Sequence, residues 1–257
     1  MKHLEPSLER TSSSELERRK TEMVAASSQH SLPEEPTAVT VDLARVDPHL
    51  VALNDSHPFA TEQYLRLVAT LISLNTRRPS KRLLIASARH GDGRTSVALN
   101  LAGALASAKR RVLVVDADLL RPSTLRLLGV DVETGLPEGL SRGLTVNEIA
   151  RRILPFNFDL LATPSRVENS VEVLDSPVFM ANLQMIADDY DFILFDSPPL
   201  LASSDAQLLL RLVDRMLLVI RPGVTNPAQI AQALAMFRKK DLLGVVLNRV
   251  LPSSIEE

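Results

Sequence analysis

The sequence predicts an α/β fold, a mostly parallel sheet covered by helices on both faces, and three observations point to it. Short apolar runs alternate with stretches of helical periodicity along most of the chain. The first clear run breaks into a glycine-bearing loop just before a helix, and two later runs end in aspartate. Units of these lengths imply right-handed crossovers between parallel strands.

Taken in order, residues 1–57 are rich in Ser, Glu, Arg and Pro, with serines at 12–14 and PEEP at 33–36, and lack sustained apolar periodicity. They read as a largely disordered tail ahead of a domain over residues 58–257. The charged cluster at 15–20 is expected as a transient, solvated helix at most. From Pro58 onward Tyr64, Leu67, Val68, Leu71 and Ile72 make one helical face that packs on the domain. Residues 83–86 are a buried strand, and Val97, Ala98, Leu101, Ala102 and Leu105 recur at helical spacing after the loop. Lys109, Arg110 and Arg111 suit the C-terminal end of that helix dipole.

A second buried strand over 112–115 ends in Asp116-Ala117-Asp118. Short helices and loops are expected over 121–153, including a helical stretch at 146–153. A strand follows at 158–162, then a helix at 177–190 that opens on proline with Phe179, Leu183 and Ile186 inward. Phe192 to Phe195 form the next strand, closed by Asp196, and Ser197-Pro198-Pro199 forces the chain out of it. A strand at 216–220, a helix from about 227 to 239 and a last strand at 242–247 lead to Asn248-Arg249. There is no internal repeat.

Composition bounds the function. The chain has 257 residues, 45% of them hydrophobic, enough for one large α/β domain with a real core. A net charge of −2 gives no global electrostatic case for nucleic acid or an anionic membrane. The absence of cysteine excludes disulfides and thiolate metal sites and is compatible with a reducing cytoplasm. No apolar stretch approaches the roughly 20 residues of a membrane span, so a membrane role requires a separate anchor. The five histidines lack metal-ligand spacing, and there is no nucleophile elbow.

The chemistry gathers around residues 83–102. Gly91 and Gly93 let the backbone approach an anion closely and aim successive N–H groups at it, and the following helix adds its positive end. The G-x-x-x-x-G-K-[ST] phosphate-loop pattern maps onto Ala88, Gly93, Arg94 and Thr95. A nucleotide polyphosphate is the expected ligand, with Thr95 supplying a hydroxyl for Mg²⁺. Arg94 stands where the pattern has lysine; it keeps the charge but is longer and planar. The bland alternative is a glycine turn between strand and helix with no ligand.

Asp116 and Asp118 fall on the same side of an extended chain, at the end of a parallel strand where α/β sheets bind ligands. They are candidates for Mg²⁺ and for activating a nucleophile; a polar strand end with a helix cap is the alternative. Four apolar residues followed by Asp196 fit the Walker B pattern, whose carboxylate helps hold Mg²⁺.

Together SARHGDGRTSVALNLA, VLVVDADLLRPS, YDFILFDSPPLLASSDAQLL and GVVLNRV resemble the cytoplasmic domain of bacterial tyrosine kinases, polysaccharide co-polymerase kinases related to the MinD/ParA P-loop ATPases. The similarity covers about residues 58–251. It implies a three-layer P-loop NTPase fold and a protein-tyrosine kinase that uses ATP and Mg²⁺ in exopolysaccharide or capsule export. By the resemblance, Arg89, His90, Gly91, Asp92, Gly93, Arg94, Thr95 and Ser96 hold the phosphates, and Asn248 and Arg249 lie at the adenine. Thr95, Asp116 and Asp196 serve the metal. Arg94, Asp116 and Asp118 carry catalysis, the aspartates deprotonating a tyrosine hydroxyl. The implied partner is a membrane-embedded chain-length regulator holding a cytoplasmic protein at the inner membrane, with self-association and without nucleic acid or direct membrane insertion.

Three features differ from the family pattern: Arg94 itself; only Tyr64 and Tyr190 as tyrosines, with none in the closing LPSSIEE; and Glu62 followed by Leu65 and Val68 where the E-x-x-R-x-x-R motif has arginines. Arg94 and the scarcity of tyrosine favour a second reading, a catalytically weak nucleotide switch, while the third feature bears on ring assembly. A third, a MinD/ParA-type positioning ATPase, finds Arg89 at the early lysine position, but Ile255-Glu256-Glu257 is too short and acidic for a membrane helix.

Overall fold

The computed structural model describes residues 35–54, 57–77 and 79–250. Its eight strands are β1 Thr37–Thr40, β2 Arg82–Ser87, β3 Val112–Asp116, β4 Arg151–Leu154, β5 Phe158–Leu161, β6 Phe192–Asp196, β7 Arg215–Ile220 and β8 Leu242–Leu247. They form one sheet in the order β1-β4-β5-β3-β6-β2-β7-β8, parallel throughout except for the antiparallel β4–β5 pair.

The central strands are unbroken apolar runs because both of their faces are covered. Leu83 and Ile85 pack on one side with Val97, Leu101 and Leu105 of the helix Arg94–Ser107 and with Val68 and Leu71 of the helix Pro58–Arg77. Leu84 and Ala86 face the other side, where Phe179 and Leu183 of Pro177–Met185, Ala206 of Asp205–Leu209 and Ala233 of Pro227–Ala235 lie. Three layers result, as predicted. Among the described residues no helix is long and apolar enough to cross a membrane.

Two boundaries differ from expectation. Residues 37–54, read as tail, belong to the domain: β1 pairs with β4, and Val41, Val46, Leu50 and Leu53 are buried. Asn100 on the helix Arg94–Ser107 ties this segment down, accepting from the Ala52 N–H at 2.8 Å and donating to the His49 carbonyl at 2.9 Å. Gly103 leaves the space that the Leu53 side chain fills. Elements of four residues, Thr37–Thr40 and Val51–Asn54, are too short to show a period, and their apolar residues find partners only across the fold. Residues 1–34, with the expected transient helix, and the closing LPSSIEE lie outside the described residues.

The second difference is the expected helix at 146–153, which stops at Ile149 and gives way to β4. Thr145 and Glu148 form a capping box for this single turn, and Arg152 is then held by Asp159 across the β4–β5 pair. A strand of four residues satisfies a helical pattern by coincidence of spacing.

Candidate functional site

Strands β3, β6 and β2 lie side by side, so the loop after β2, Asp116 at the end of β3 and Asp196 at the end of β6 meet at one edge of the sheet. In register, Asp196 stands opposite Asp116 on one side and Ile85 on the other. The consecutive strands β2 and β3 are separated by β6, which opens a crevice at the carboxyl ends where α/β folds bind ligands.

The loop takes its shape from two glycines in left-handed conformation, Gly91 at φ 87° and Gly93 at φ 94°. Asp92 between them is wholly buried. One of its carboxylate oxygens accepts from the Thr225 hydroxyl at 2.9 Å, the other from the Arg89 N–H at 3.3 Å, and its carbonyl accepts from the Asn248 side chain at 2.8 Å. The Asp92 side chain thus braces the loop from beneath instead of facing a ligand. Gly91, Arg89 and His90 are exposed at the rim, and Thr95 and Ser96 open the helix. A β-carbon on Gly93 would collide with Asn248, so that side chain packs flush against the loop.

Arg94 is buried, and its guanidinium is turned under the loop. Its Nε donates to the Ser197 carbonyl at 2.7 Å, one terminal nitrogen to the Ser87 hydroxyl at 2.7 Å and the Arg89 carbonyl at 3.2 Å, and the other to Asp118 at 3.2 Å. Asp118 also accepts from the Arg121 N–H at 3.2 Å. Burial raises the Asp118 carboxyl above its ordinary range against the pull of Arg94. Burial, with Arg94 and Arg121 nearby, lowers His90.

Asp116 is fully buried. Its Oδ2 accepts from the Thr124 hydroxyl at 2.6 Å and from the N–H groups of Thr124 and Ser123, while its Oδ1 has no partner. Asp196 is buried with neither carboxylate oxygen hydrogen-bonded. Burial pushes both carboxyls up; Asp116 adds to the effect on Asp196, and the Arg94 guanidinium and Thr95 hydroxyl oppose it. Ser123 donates to the Thr95 hydroxyl at 3.1 Å, which joins the loop to the segment after β3.

Orphaned buried oxygens need an explanation, and a hard cation supplies one. Asp116 Oδ1, both Asp196 oxygens and the Thr95 hydroxyl form an all-oxygen donor set that fits Mg²⁺. Among the described residues no three His, Cys, Asp or Glu converge into a self-contained metal cage.

Of the residues predicted from sequence, the structure brings together the 89–96 loop, Asp116, Asp118, Asp196 and Asn248. Arg249 is exposed at φ 59° beside Asn248 and makes no hydrogen bond or ion pair among the described residues. Ser87, Ser123, Thr124, Ser197 and Thr225, which shape the site, escaped sequence reading. Only Ser123-Thr124, following the DADLLRP stretch, had a signal: short hydroxyl residues where a carboxylate needs donors. Glu62 pairs with Arg66 along its own helix at 3.2 Å.

The AAA domain family model matches residues 80–239. The tyrosine-protein kinase YwqD of Bacillus subtilis is 29% identical over 80% of this chain and 87% of its own length. Longer relatives are matched over less than a third of their length. The kinase domain of the Escherichia coli tyrosine kinase ETK superposes with a TM-score of 0.68 at 25% identity, covering 88% of each chain. The MinD of Pyrococcus horikoshii, solved with Mg-ADP, shares the fold at a TM-score of 0.55 and 24% identity, over 68% of this chain and 75% of that one. The chain belongs to the AAA domain family whose model it matches, and it is similar in sequence and in fold to bacterial tyrosine-protein kinases.

Proposed function

We propose that the chain binds Mg-ATP at the 89–96 loop and transfers the γ-phosphoryl group to a tyrosine hydroxyl, as a component of exopolysaccharide or capsule production. The observation that carries this reading is the set of unpartnered oxygens of Asp116 and Asp196 beside Thr95, at the mouth of a glycine loop that opens a helix. The loop N–H groups and helix end bind the phosphates. Thr95, Asp116 and Asp196 hold Mg²⁺, which when bound neutralises phosphate charge. Asp118 accepts the proton of the attacking hydroxyl. Asn248 fixes the floor beneath the nucleotide through the Asp92 carbonyl.

Neither Tyr64 nor Tyr190 is placed to accept the phosphoryl group. Tyr190 is 4% exposed and donates to Asp159 at 2.9 Å, and Tyr64 packs against the core. A membrane-embedded chain-length regulator is the partner that keeps the kinase at the cytoplasmic face of the membrane.

The test is transfer of radiolabelled γ-phosphate by the purified chain, alone and with the cytoplasmic segment of a candidate membrane partner. Label on a partner tyrosine, lost in Asp116→Asn, is expected. Tight nucleotide binding with no transfer to any partner would instead identify a nucleotide-dependent switch.

A further inference from the structure

The pattern that defines a phosphate loop gives its lysine position the task of touching phosphate, and in this chain the residue there is otherwise engaged. A guanidinium carries one N–H on Nε and two on each terminal nitrogen. Arg94 directs the Nε donor to Ser197, both donors of one terminal nitrogen to Ser87 and Arg89, and one donor of the other to Asp118. A single N–H is left, so a forked grip on a phosphate is unavailable while these bonds stand.

The four acceptors belong to four separate segments: the end of β2, the loop, the turn after β3 and the turn after β6. A guanidinium spreads five donors over three nitrogens in one rigid plane and so spans acceptors set apart, whereas a lysine ammonium carries three donors on a single nitrogen. Arg94 and Asp118 are both 7% exposed in their side chains, so their ion pair at 3.2 Å is buried, and removing either partner strands the other's charge. For Arg94 to turn toward phosphate, Asp118 would lose its counter-ion and the loop its link to Ser197. Positive charge for an incoming polyphosphate is available elsewhere, on Arg89 and Arg121, both exposed.

We infer that Arg94 is a positioning residue that holds the Asp118 carboxylate and the underside of the loop, and that the phosphates are gripped without its side chain. This rests on the nucleotide reading above for what the loop binds; the link between Arg94 and Asp118 is read from their contacts alone.

The experiment compares the full chain with Arg94→Gln, Arg94→Lys, Asp118→Asn and the Arg94→Gln/Asp118→Asn pair. Affinity for Mg-ADP is measured with a fluorescent ADP, the bound β-phosphate by its ³¹P resonance, and stability by thermal melting; transfer to a partner tyrosine is followed alongside. Arg94→Gln is expected to bind Mg-ADP within about threefold of the parent with the ³¹P resonance unmoved, while transfer falls, a split between binding and turnover. The double variant should lose no more transfer or melting temperature than the worse single one, as coupled residues do. Arg94→Lys, which keeps charge without the fork, should not restore transfer.

A loss of Mg-ADP affinity of about a hundredfold in Arg94→Gln, recovered in Arg94→Lys and additive with Asp118→Asn, would overturn the inference and make Arg94 a phosphate ligand. Should Arg94→Gln fail to fold, Ser87→Ala removes one acceptor of the same fork: Asp118→Asn should then cost less melting temperature in that background than in the parent, and an equal loss in both would overturn the inference. If the parent binds no Mg-ADP, the nucleotide reading fails, and the melting comparison still decides whether Arg94 and Asp118 are coupled.

Discussion

Asp116 and Asp196 face each other as the last register pair of the parallel strands β3 and β6, both wholly buried. Two carboxylates so placed cannot both ionise cheaply without a cation. Their folded values lie above the ordinary 3.8, raised first by burial. Their contribution to stability is therefore fully present below that value and is lost as pH rises toward the raised ones. Without Mg²⁺ the protein is expected to lose stability from this pair between about pH 4 and pH 8. Asp196→Asn should flatten that slope, raise metal-free stability at pH 8 by about 1–3 kcal/mol and abolish stabilisation by Mg-ADP. Chemical denaturation at several pH values, with and without Mg-ADP, checks all three.

Gly93→Ala meets two obstacles at once. Its φ of 94° is disfavoured for a residue with a side chain, and the new methyl runs into the Asn248 amide. A loss of about 1–2 kcal/mol is expected from the backbone alone. Nucleotide affinity should fall further than Asn248→Ala makes it fall, because only the glycine change moves the loop itself; fluorescent-nucleotide titration of both variants makes the comparison.

Asn100→Ala leaves the Ala52 N–H and the His49 carbonyl without their partners, at a cost of about 1–3 kcal/mol. Limited proteolysis should then cut within residues 36–54 well before the rest of the domain. A variant that melts lower but is cut no faster would show that the segment is held by its apolar contacts instead.

The Tyr190 hydroxyl donates a hydrogen bond to Asp159, which Arg152 also grips at 2.9 Å and 3.2 Å. Tyr190→Phe should cost about 1–3 kcal/mol at neutral pH. Burial, with Asp159 close by, raises the Tyr190 phenol, and burial raises Tyr64 to about 12 from an ordinary 10. Stability from these phenols is complete below pH 10 and is lost as pH climbs toward 12. Alkaline unfolding should accordingly steepen above pH 10 and become shallower in Tyr64→Phe and Tyr190→Phe.

The central strands and the site loop were legible in the sequence because one physical demand shaped each. Leu83 to Ala86 and Phe192 to Phe195 are apolar without interruption since both faces are covered, and Gly91 and Gly93 announce the backbone turn they make. The aspartates stood out because each ends such a run. The edge of the fold was not legible. Thr37–Thr40 finds its partner across a long stretch of chain, and Arg151–Leu154, though β5 follows it after a short turn, carries on the spacing of the helical turn before it. The direction in which Arg94 points was hidden for a related reason: it depends on where Ser197 and Asp118 stand after folding, not on the loop's own spacing.

The strand order β3-β6-β2 also bears on how the protein is made. A chain emerging from the ribosome releases β2 and β3 early, yet these two never pair; the place between them belongs to β6, which follows only after the whole stretch containing β4 and β5. Pairings this distant in sequence form slowly, and open strand edges are exposed while they wait. Until β6 slots in, Asp196 is absent from the rim, Ser197 is absent from beneath Arg94, and the crevice has one wall. β6 thus closes the carboxylate side of the site before β7 and β8 bring Thr225 and Asn248 under the loop, and a nascent chain cut short before Phe192 carries the phosphate loop without the aspartate that faces Asp116.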